Sequence, residues 1–186
     1  MRIIAGEWRG RRLASVGKGD AGAHLRPTTD RVRESLFSML AGGRFGDPIT
    51  RAQVLDLFAG TGALGLEALS RGAAEAVFVD DGRVAQRLIQ QNIAELGAGD
   101  RARLVGRDAT RLAANRGDPF TLVFCDPPYR KGLGEKALAA ALHGGWIAPG
   151  ALVVWEESAD VSPPDGLAFL DERRYGDTRV HLLEAV

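Results

Sequence analysis

The sequence has a single cysteine, Cys125, among its 186 residues, and it has only three histidines. One cysteine excludes an internal disulfide bond, and three histidines without a cysteine pair argue against a zinc site, so we expect no metal. The apolar runs fall well short of the roughly 18 residues that span a bilayer. Charged residues interrupt the start of the chain where a signal peptide is apolar. We therefore expect a cytoplasmic protein without a membrane segment.

Acidic and basic residues balance, with 24 of each, but they are distributed unevenly along the chain. The first 33 residues contain eight basic side chains and three acidic ones, and seven of the eight are arginine. The planar guanidinium of arginine suits phosphate groups and base edges better than the ammonium of lysine does. This excess of positive charge is consistent with nucleic acid as a partner. A solvated surface in an arginine-rich protein is the alternative.

From residue 53 onward, short apolar runs alternate with segments of helical periodicity. The predicted strands cover residues 53–58, 76–80, 103 to about 108, 121–125 and 151–157, and the predicted helices cover residues 63–70, 84–96 and 133–142. Two further strands, at 167–175 and 179–185, are separated only by a turn at Gly176-Asp177. Apolar strands separated by helices indicate a parallel sheet covered on both faces. The predicted fold class is therefore α/β, a doubly wound Rossmann-like sheet closed by a C-terminal antiparallel hairpin.

The first fifty residues follow a different pattern. Residues 2–8 and 10–13 are predicted to form a small N-terminal β-hairpin, and a glycine-rich stretch follows at 17–22. The segment Pro27-Thr28-Thr29-Asp30 is typical of the first turn of a helix, and apolar residues then recur at helical spacing. We expect a chain of two parts, with residues 1–25 as hairpin and linker and residues 26–186 as the main domain.

A glycine-rich loop separates the first predicted strand of the sheet from the helix that follows it. Gly60, Gly62 and Gly65 satisfy the G-x-G-x-x-G spacing of dinucleotide-binding turns. Glycines let the backbone turn tightly and approach a ligand, and the helix N-terminus favours an anionic group. That group can be the pyrophosphate of a nicotinamide cofactor or the carboxylate of S-adenosylmethionine. The glycine spacing does not distinguish these two, and a purely structural turn is a third interpretation.

Aspartates lie at the ends of successive predicted strands, which is where α/β sheets bind ligands. Asp80 can accept both hydroxyl groups of a cofactor's ribose, and Asp108 can accept a hydrogen bond from the adenine amino group. Asp56, four residues before the first glycine, would repel a pyrophosphate but is favourable beside an ammonium or sulfonium group. Asp56 therefore favours S-adenosylmethionine, although a single aspartate is more often a helix cap or a solvated loop residue.

The segment Asp126-Pro127-Pro128-Tyr129 directly follows the fourth predicted strand. The exocyclic amine of a base is a poor nucleophile because its lone pair is delocalised into the ring. The Asp126 carboxylate and the Pro127 carbonyl can accept its two N–H groups, which turns the lone pair outward and supports the developing positive charge. The prolines fix the loop, and Tyr129 offers a flat face on which the base can stack. An ordinary Asp-Pro turn is the alternative.

In combination these residues resemble a known family. Residues 56–65, Asp80, Asp108 and residues 126–129, in this order, are similar to class I S-adenosylmethionine-dependent methyltransferases that act on amino groups. The segments at residues 2–11 and 26–37 resemble one branch, the bacterial 16S rRNA guanine-N2-methyltransferases of the small ribosomal subunit. The resemblance covers nearly the whole chain, and it departs at Asp80, where that family usually has glutamate.

The resemblance implies transfer of a methyl group from S-adenosylmethionine to the exocyclic N2 amine of a guanine in 16S rRNA. The implied cofactor-binding residues are Asp56, Phe58, Ala59, Gly60, Gly62, Asp80, Asp108 and Ala109. The implied catalytic residues are Asp126, Pro127, Pro128 and Tyr129. The implied RNA-binding residues are Arg2, Trp8, Arg9, Arg11, Arg12, Arg26 and Arg31. Residues 1–25 would bind rRNA and residues 26–186 would form the catalytic domain of a monomer that acts on the small subunit or an assembly intermediate.

Two other functions use some of the same residues. The D-P-P-Y segment also serves DNA adenine-N6 methyltransferases, and this alternative stays open, although the basic N-terminal segment and the small size of the chain favour RNA. The glycine loop also fits an NAD-dependent oxidoreductase or a non-catalytic dinucleotide-binding module. An oxidoreductase needs a substrate domain and an acid or base at the hydride site, and few residues are left to build either.

Overall fold

The computed structural model describes residues 1–16 and 29–186. The helices are α1 (Asp30–Ala41), α2 (Ala63–Ser70), α3 (Arg83–Leu96) and α4 (Leu133–His143), with a short 3₁₀ turn at Ala109–Arg111. The strands are β1 (Gln53–Leu57), β2 (Glu75–Val79), β3 (Ala102–Val105), β4 (Phe120–Cys125), β5 (Ile147–Glu157), β6 (Leu167–Tyr175) and β7 (Thr178–Ala185). Among the described residues, no helix combines the length and the apolar character needed to cross a membrane.

The strands form one seven-stranded sheet in the order β3-β2-β1-β4-β5-β7-β6. Strands β3, β2, β1, β4 and β5 are parallel, whereas β7 is inserted antiparallel between β5 and β6. The predicted doubly wound α/β sheet with a C-terminal antiparallel hairpin is confirmed. Strand β5 starts at Ile147, four residues earlier than predicted, because the chain pairs with Phe120 of β4 before Pro149-Gly150.

Alternate residues of the central strands pack into two separate hydrophobic clusters, one on each face of the sheet. On β4, Leu122 and Phe124 belong to the cluster covered by α1, α2 and α3. Val123 and Cys125 of the same strand belong to the cluster covered by α4. Burial on both faces explains why these strands are continuous apolar runs. Cys125 is a buried core thiol.

The N-terminal hairpin is shorter than the sequence pattern predicts. Arg2 and Arg12 form one antiparallel bridge, and Ile3 exchanges backbone hydrogen bonds with residues 10 and 11. Between them the chain turns at Gly6 and Gly10, which both have positive φ angles that favour glycine. The backbone of this turn bonds to α2 instead of to a second strand, so extended pairing does not continue.

The buried carboxylate of Glu67, on α2, anchors this N-terminal segment. Its Oε2 accepts a hydrogen bond from the backbone N–H of Ile4 at 2.8 Å, and its Oε1 accepts one from Ala5 at 3.1 Å. Arg71 donates to Oε1 at 2.7 Å, and the fully buried Arg33 of α1 lies 3.7 Å from Oε2. One carboxylate therefore joins residues 1–16 to two helices of the main domain.

Helix α1 begins at Asp30, where the hydroxyl of Thr29 accepts a hydrogen bond from the N–H of Val32. The Pro27-Thr28 part of the predicted first turn lies outside the described residues, as do the glycine-rich stretch at 17–22 and the predicted boundary after residue 25.

We expect Glu67→Ala to lower the free energy of unfolding by about 3–5 kcal/mol, because it leaves two backbone N–H groups without their acceptor and removes the buried negative charge beside Arg33. Denaturant unfolding monitored by circular dichroism measures this loss. Glu75→Ala is the matched control, since Glu75 is exposed at the start of β2 and its removal should change stability by less than about 0.5 kcal/mol. Equal effects of the two changes would contradict the anchoring role.

Candidate active site

A cavity of about 190 Å³ opens at the carboxyl edge of the parallel strands. The pairing register puts the last residues of β1, β2, β3 and β4 side by side, so the loops that follow these strands meet here. Five of the predicted site residues line this cavity: Phe58, Asp80, Asp108, Ala109 and Pro128. The lining also includes Asp81 and Leu133, which the sequence analysis missed. Their proximity to Asp80 and to the D-P-P-Y segment was the available signal.

The glycine loop builds one wall of the site through its backbone. Phe58, Gly60 and Gly62 have positive φ angles of 57°, 60° and 77°, so the chain coils tightly between β1 and α2. The N–H of Ala59 donates to the carbonyl of Val79 on β2 at 3.1 Å, which ties the loop to the neighbouring strand. Asp56, Ala59, Gly60 and Gly62 belong to this loop or to the strand before it, outside the lining of the cavity.

Gly65, the third glycine of the fingerprint, serves close packing. A Cβ atom at this position would lie 2.4 Å from the ring of Phe78 on β2 and 3.2 Å from Asp56. The first turn of α2 can approach the sheet only because residue 65 has no side chain. The positive φ angles therefore explain Gly60 and Gly62, whereas close packing explains Gly65.

Asp80 links the glycine loop to the start of α3. Its Oδ2 accepts a hydrogen bond from the N–H of Gly60, and its Oδ1 accepts one from Gly82, both at 2.9 Å. Burial raises the pKa of Asp80, against the opposing effect of these two hydrogen bonds. A carboxylate has about four acceptor positions, so both oxygens can still accept hydroxyl groups from a ligand.

Asp108 and Asp56 have opposite environments. Asp108 accepts hydrogen bonds from the hydroxyl and the N–H of Thr110, which lower its pKa and keep it ionised beside the cavity. Asp56 is 1% exposed, and burial raises its pKa to about 8, although its Oδ2 accepts a hydrogen bond from the N–H of Gly65 at 2.9 Å.

Within the described part of the chain, no group of acidic, histidine or cysteine side chains could hold a metal ion.

The D-P-P-Y loop is held against the end of β5. Pro127 is buried, whereas Pro128 faces the cavity. The hydroxyl of Tyr129 donates to Glu156 Oε1 at 2.6 Å and lies 3.2 Å from the hydroxyl of Thr178. Burial and the neighbouring Glu156 raise the pKa of Tyr129. These contacts fix the ring beside the loop that begins at Asp126.

A second glutamate supports the same loop. The backbone N–H of Arg130, a residue with a φ of 59°, points to the carboxylate of Glu157, with N–O distances of 3.2 and 3.3 Å. Sequence reasoning missed both Glu156 and Glu157 as supporting residues. The available signal was a pair of acids ending the apolar strand β5, because a carboxylate buried at a strand end needs partners.

The predicted RNA-binding residues divide into two groups. Arg2, Arg9, Arg11, Arg12 and Arg31 are exposed, and Arg26 lies outside the described residues. Trp8 is only 6% exposed, and the guanidinium of Arg101 lies 5.0 Å from the centre of its ring. A ring in this position offers no open face to a base, so we omit Trp8 from the RNA-binding surface. Its indole belongs to the hydrophobic core.

A family model described as "Conserved hypothetical protein 95" matches residues 1–184. The chain belongs to this family. It is 44% identical over 164 residues to "Ribosomal RNA small subunit methyltransferase D" of Escherichia coli strain K12, covering 88% of this chain and 78% of that protein. It is 35% identical to "Putative rRNA methyltransferase YlbH" of Bacillus subtilis strain 168, covering 97% of this chain and 96% of that protein. The solved structure "Putative methyltransferase yhhF from Escherichia coli" matches with a TM-score of 0.83 and 42% identity, covering 100% of this chain and 97% of that one.

Membership confirms the family predicted from the residues, and the structural match confirms the class I methyltransferase fold. A structure titled "Crystal structure of TrmN from Thermus thermophilus", at 24% identity and a TM-score of 0.69, shares the fold. The roles of the individual site residues stay predictions.

The buried Asp56 makes stability depend on pH. Its pKa is about 8 in the folded protein against 3.8 ordinarily, so folding is favoured while the group keeps its proton. The free energy of unfolding should therefore fall as pH rises from about 4 to about 8. Asp56→Asn removes this dependence, and the Tm of the variant relative to the wild type should increase between about pH 5 and pH 8.

Differential scanning calorimetry across that pH range, without ligand, measures this difference. Asp100→Asn is the matched control, because Asp100 is exposed in the turn between α3 and β3. A Tm difference between Asp56→Asn and wild type that stays constant with pH would disprove the assignment.

Proposed function

We propose that this protein transfers a methyl group from S-adenosylmethionine to the exocyclic N2 amine of a guanine in 16S rRNA of the small ribosomal subunit. The observation that carries the proposal is the D-P-P-Y loop, fixed by Glu156 and Glu157 at the rim of a cavity lined by aspartates. The similarity to the Escherichia coli ribosomal RNA small subunit methyltransferase supports rRNA of the small subunit as the substrate. Family membership favours S-adenosylmethionine over a nicotinamide cofactor.

The residues at the strand ends fit this cofactor. Asp80 has acceptor capacity for the ribose hydroxyls, and Asp108 is an ionised acceptor for the adenine amine. Phe58, Ala109 and Leu133 give the same cavity apolar surface for a purine ring. The glycine loop would hold the methionine end, and the buried Asp56 would support this loop through the hydrogen bond that it accepts from the N–H of Gly65. When bound, S-adenosylmethionine supplies a methyl group activated by a sulfonium.

The D-P-P-Y loop would activate the amine of the base. The Asp126 carboxylate and the Pro127 carbonyl accept its two N–H groups, so the nitrogen lone pair is turned out of conjugation. The negative carboxylate also stabilises the positive charge that forms on nitrogen as it is methylated. Since the loop is already anchored to β5, the acceptors need no reorganisation when the base arrives.

Tyr129 would stack on the target base, which must leave any helical stack to reach the cavity. Its hydroxyl is engaged by Glu156 and Thr178, so the orientation of the ring is set before RNA binds. The phenol would not act as an acid or base, because its pKa is raised further above neutrality.

The exposed arginines of the N-terminal segment and α1 would bind the rRNA backbone. Arg9, Arg12 and Arg31 are exposed, and Arg2 forms an ion pair with Asp30 at 3.8 Å that is open to solvent. Residues 1–25 would form this rRNA-binding part and residues 26–186 the catalytic domain. We further propose a monomer in the cytoplasm that acts on the small subunit or an assembly intermediate.

Replacement of Asp126 tests the chemistry. Asp126→Ala should lower the rate of methyl transfer by about a thousandfold or more, because one acceptor and the stabilising charge are removed together. Binding of S-adenosylhomocysteine, measured by calorimetry, should stay within about twofold of the wild type. Asp100→Ala, in the turn that leads into β3 at the opposite edge of the sheet, is the matched control. Equal loss of ligand binding and of transfer would refute a role in activating the amine.

The identity of the substrate is tested separately. Tritiated methyl transfer to small-subunit rRNA particles and to duplex DNA should label only the RNA, and mass spectrometry of the digested RNA should detect N2-methylguanine. Labelled DNA or N6-methyladenine would overturn the proposal.

Two changes at Tyr129 separate its ring from its hydroxyl. Tyr129→Ala removes the stacking face and should reduce kcat/KM for RNA by about a hundredfold. Tyr129→Phe keeps the aromatic face and loses only the hydrogen bonds to Glu156 and Thr178. Its kcat/KM for RNA should therefore fall by about tenfold or less. Steady-state kinetics with rRNA measure both, and a larger loss in Tyr129→Phe would contradict the stacking role.

A further inference from the structure

A second and larger cavity, of about 440 Å³, lies on the same edge of the sheet and is bordered by Tyr129. Three arginines line it: Arg130 directly after the D-P-P-Y segment, Arg174 near the end of β6, and Arg179 near the start of β7. None of the three is among the residues that the sequence analysis assigned to the cofactor, the chemistry or RNA binding. We call this group of three the arginine pocket.

The antiparallel insertion of β7 brings the arginine pocket to the active site. Because β7 runs against β5, the turn between β6 and β7 lies at the edge where the parallel strands end. Thr178, the first residue of β7, lies 3.2 Å from the hydroxyl of Tyr129. Two neighbouring residues of the D-P-P-Y loop therefore border different cavities. Pro128 lines the proposed cofactor cavity, and Tyr129 lines the cavity of the arginine pocket.

The cross-strand register puts like charges opposite each other. Arg174 on β6 pairs directly with Arg179 on β7, an arrangement that destabilises a hairpin unless an anion offsets it. Directly opposed residues project from the same face of a sheet, so both guanidinium groups can reach one ligand. Arg130 has its Nε 3.4 Å from the hydroxyl of Ser158 and adds a third cationic group.

The acidic neighbours of the pocket offset these charges only in part. Arg179 forms an ion pair with Asp160, whose side chain is 92% exposed, and Arg174 pairs with Glu172 while remaining 65% exposed. The other partner of each pair is less open, with Arg179 23% and Glu172 27% exposed, so solvent weakens these ion pairs only in part. Asp177 also lines the cavity and opposes an anion. Three arginines with five N–H donors each still make a phosphate a better partner than water.

We propose that the arginine pocket binds a backbone phosphate of the RNA strand that carries the target base. The inference rests on the proposed function and adds a phosphate-binding site to it. A base that is turned out of its helix toward Tyr129 takes its own phosphate or the adjacent one to the surface next to that ring. Phosphate contacts fix the register of a nucleic acid on a protein. The pocket thus anchors the strand beside the point where the base leaves it.

Kinetics with RNA test the proposal. The double variant Arg174→Ala/Arg179→Ala should raise KM for small-subunit rRNA particles by about tenfold or more and leave kcat and the Kd for S-adenosylhomocysteine unchanged. The slope of log KM against log salt should decrease by about one for each phosphate that the variant no longer binds. Arg179→Lys keeps the charge and loses the planar fork, so its KM should lie between those of the wild type and the double variant.

Arg116→Ala is the matched control, because Arg116 is exposed in the connection that leads into β4 at the opposite edge of the sheet. If the double variant has the same KM and salt slope as this control, the proposal that the arginine pocket binds an RNA phosphate is wrong. The single variant Arg174→Ala, at an exposed position, should change KM and the salt slope in the same direction but by less. It replaces the double variant in this test if the double variant does not fold.

Two further measurements separate this proposal from its alternatives. If the wild type transfers no methyl group to rRNA, the proposed function fails, and filter binding of the same RNA to wild type and double variant still tests the pocket. Calorimetric titration with guanosine monophosphate tests for a free nucleotide as the ligand. Nucleotide binding that the double variant loses, together with an unchanged KM for RNA, would assign a mononucleotide site and overturn the proposal.

Discussion

The pairing of β1 with β2 on one side and β4 on the other determines the geometry of the site. Leu57 is in register with Val79 and with Cys125, so the residues that follow these three strands emerge together at one edge. Phe58, Asp80 and the D-P-P-Y segment are distant in sequence, and this register alone makes them neighbours. A slip of one residue in either pair would turn the side chains to the opposite faces and bury the wrong partners.

Side chains of the main domain contact both the N-terminal segment and the glycine loop. These contacts connect the proposed RNA-binding part to the proposed cofactor site. Asn92 of α3 accepts a hydrogen bond from the N–H of Ala14 at 2.6 Å and donates one to the carbonyl of Thr61, within the glycine loop, at 2.9 Å. Glu67, on the helix that follows this loop, holds residues 4 and 5. Displacement of the N-terminal segment would therefore leave buried polar groups unpaired beside the glycine loop.

The parts predicted well from the sequence are those determined by local patterns: the apolar strands, the glycine spacing and the C-terminal hairpin with its turn at Gly176-Asp177. Long-range contacts escaped prediction. Trp8 was among the residues predicted to bind RNA, but packing of the turn against α2 buries its indole. Glu156 and Glu157 appeared to be the ordinary end of a strand, because their partners Tyr129 and Arg130 come from a loop 27 residues earlier.

Acidic and basic residues occupy different places at the carboxyl edge of the sheet. Asp80, Asp81 and Asp108 line the inner cavity, and Asp126 lies next to it on the D-P-P-Y loop, so a phosphate is repelled there while ribose hydroxyls and base amines find acceptors. Arginines lie outside this acidic centre, in the arginine pocket beside Tyr129 and in the N-terminal segment. In the proposed function, a chain with no net charge would therefore bind the RNA backbone through these arginines, while the acidic centre would exclude phosphate and accept the hydroxyl and N–H groups of neutral ligand parts.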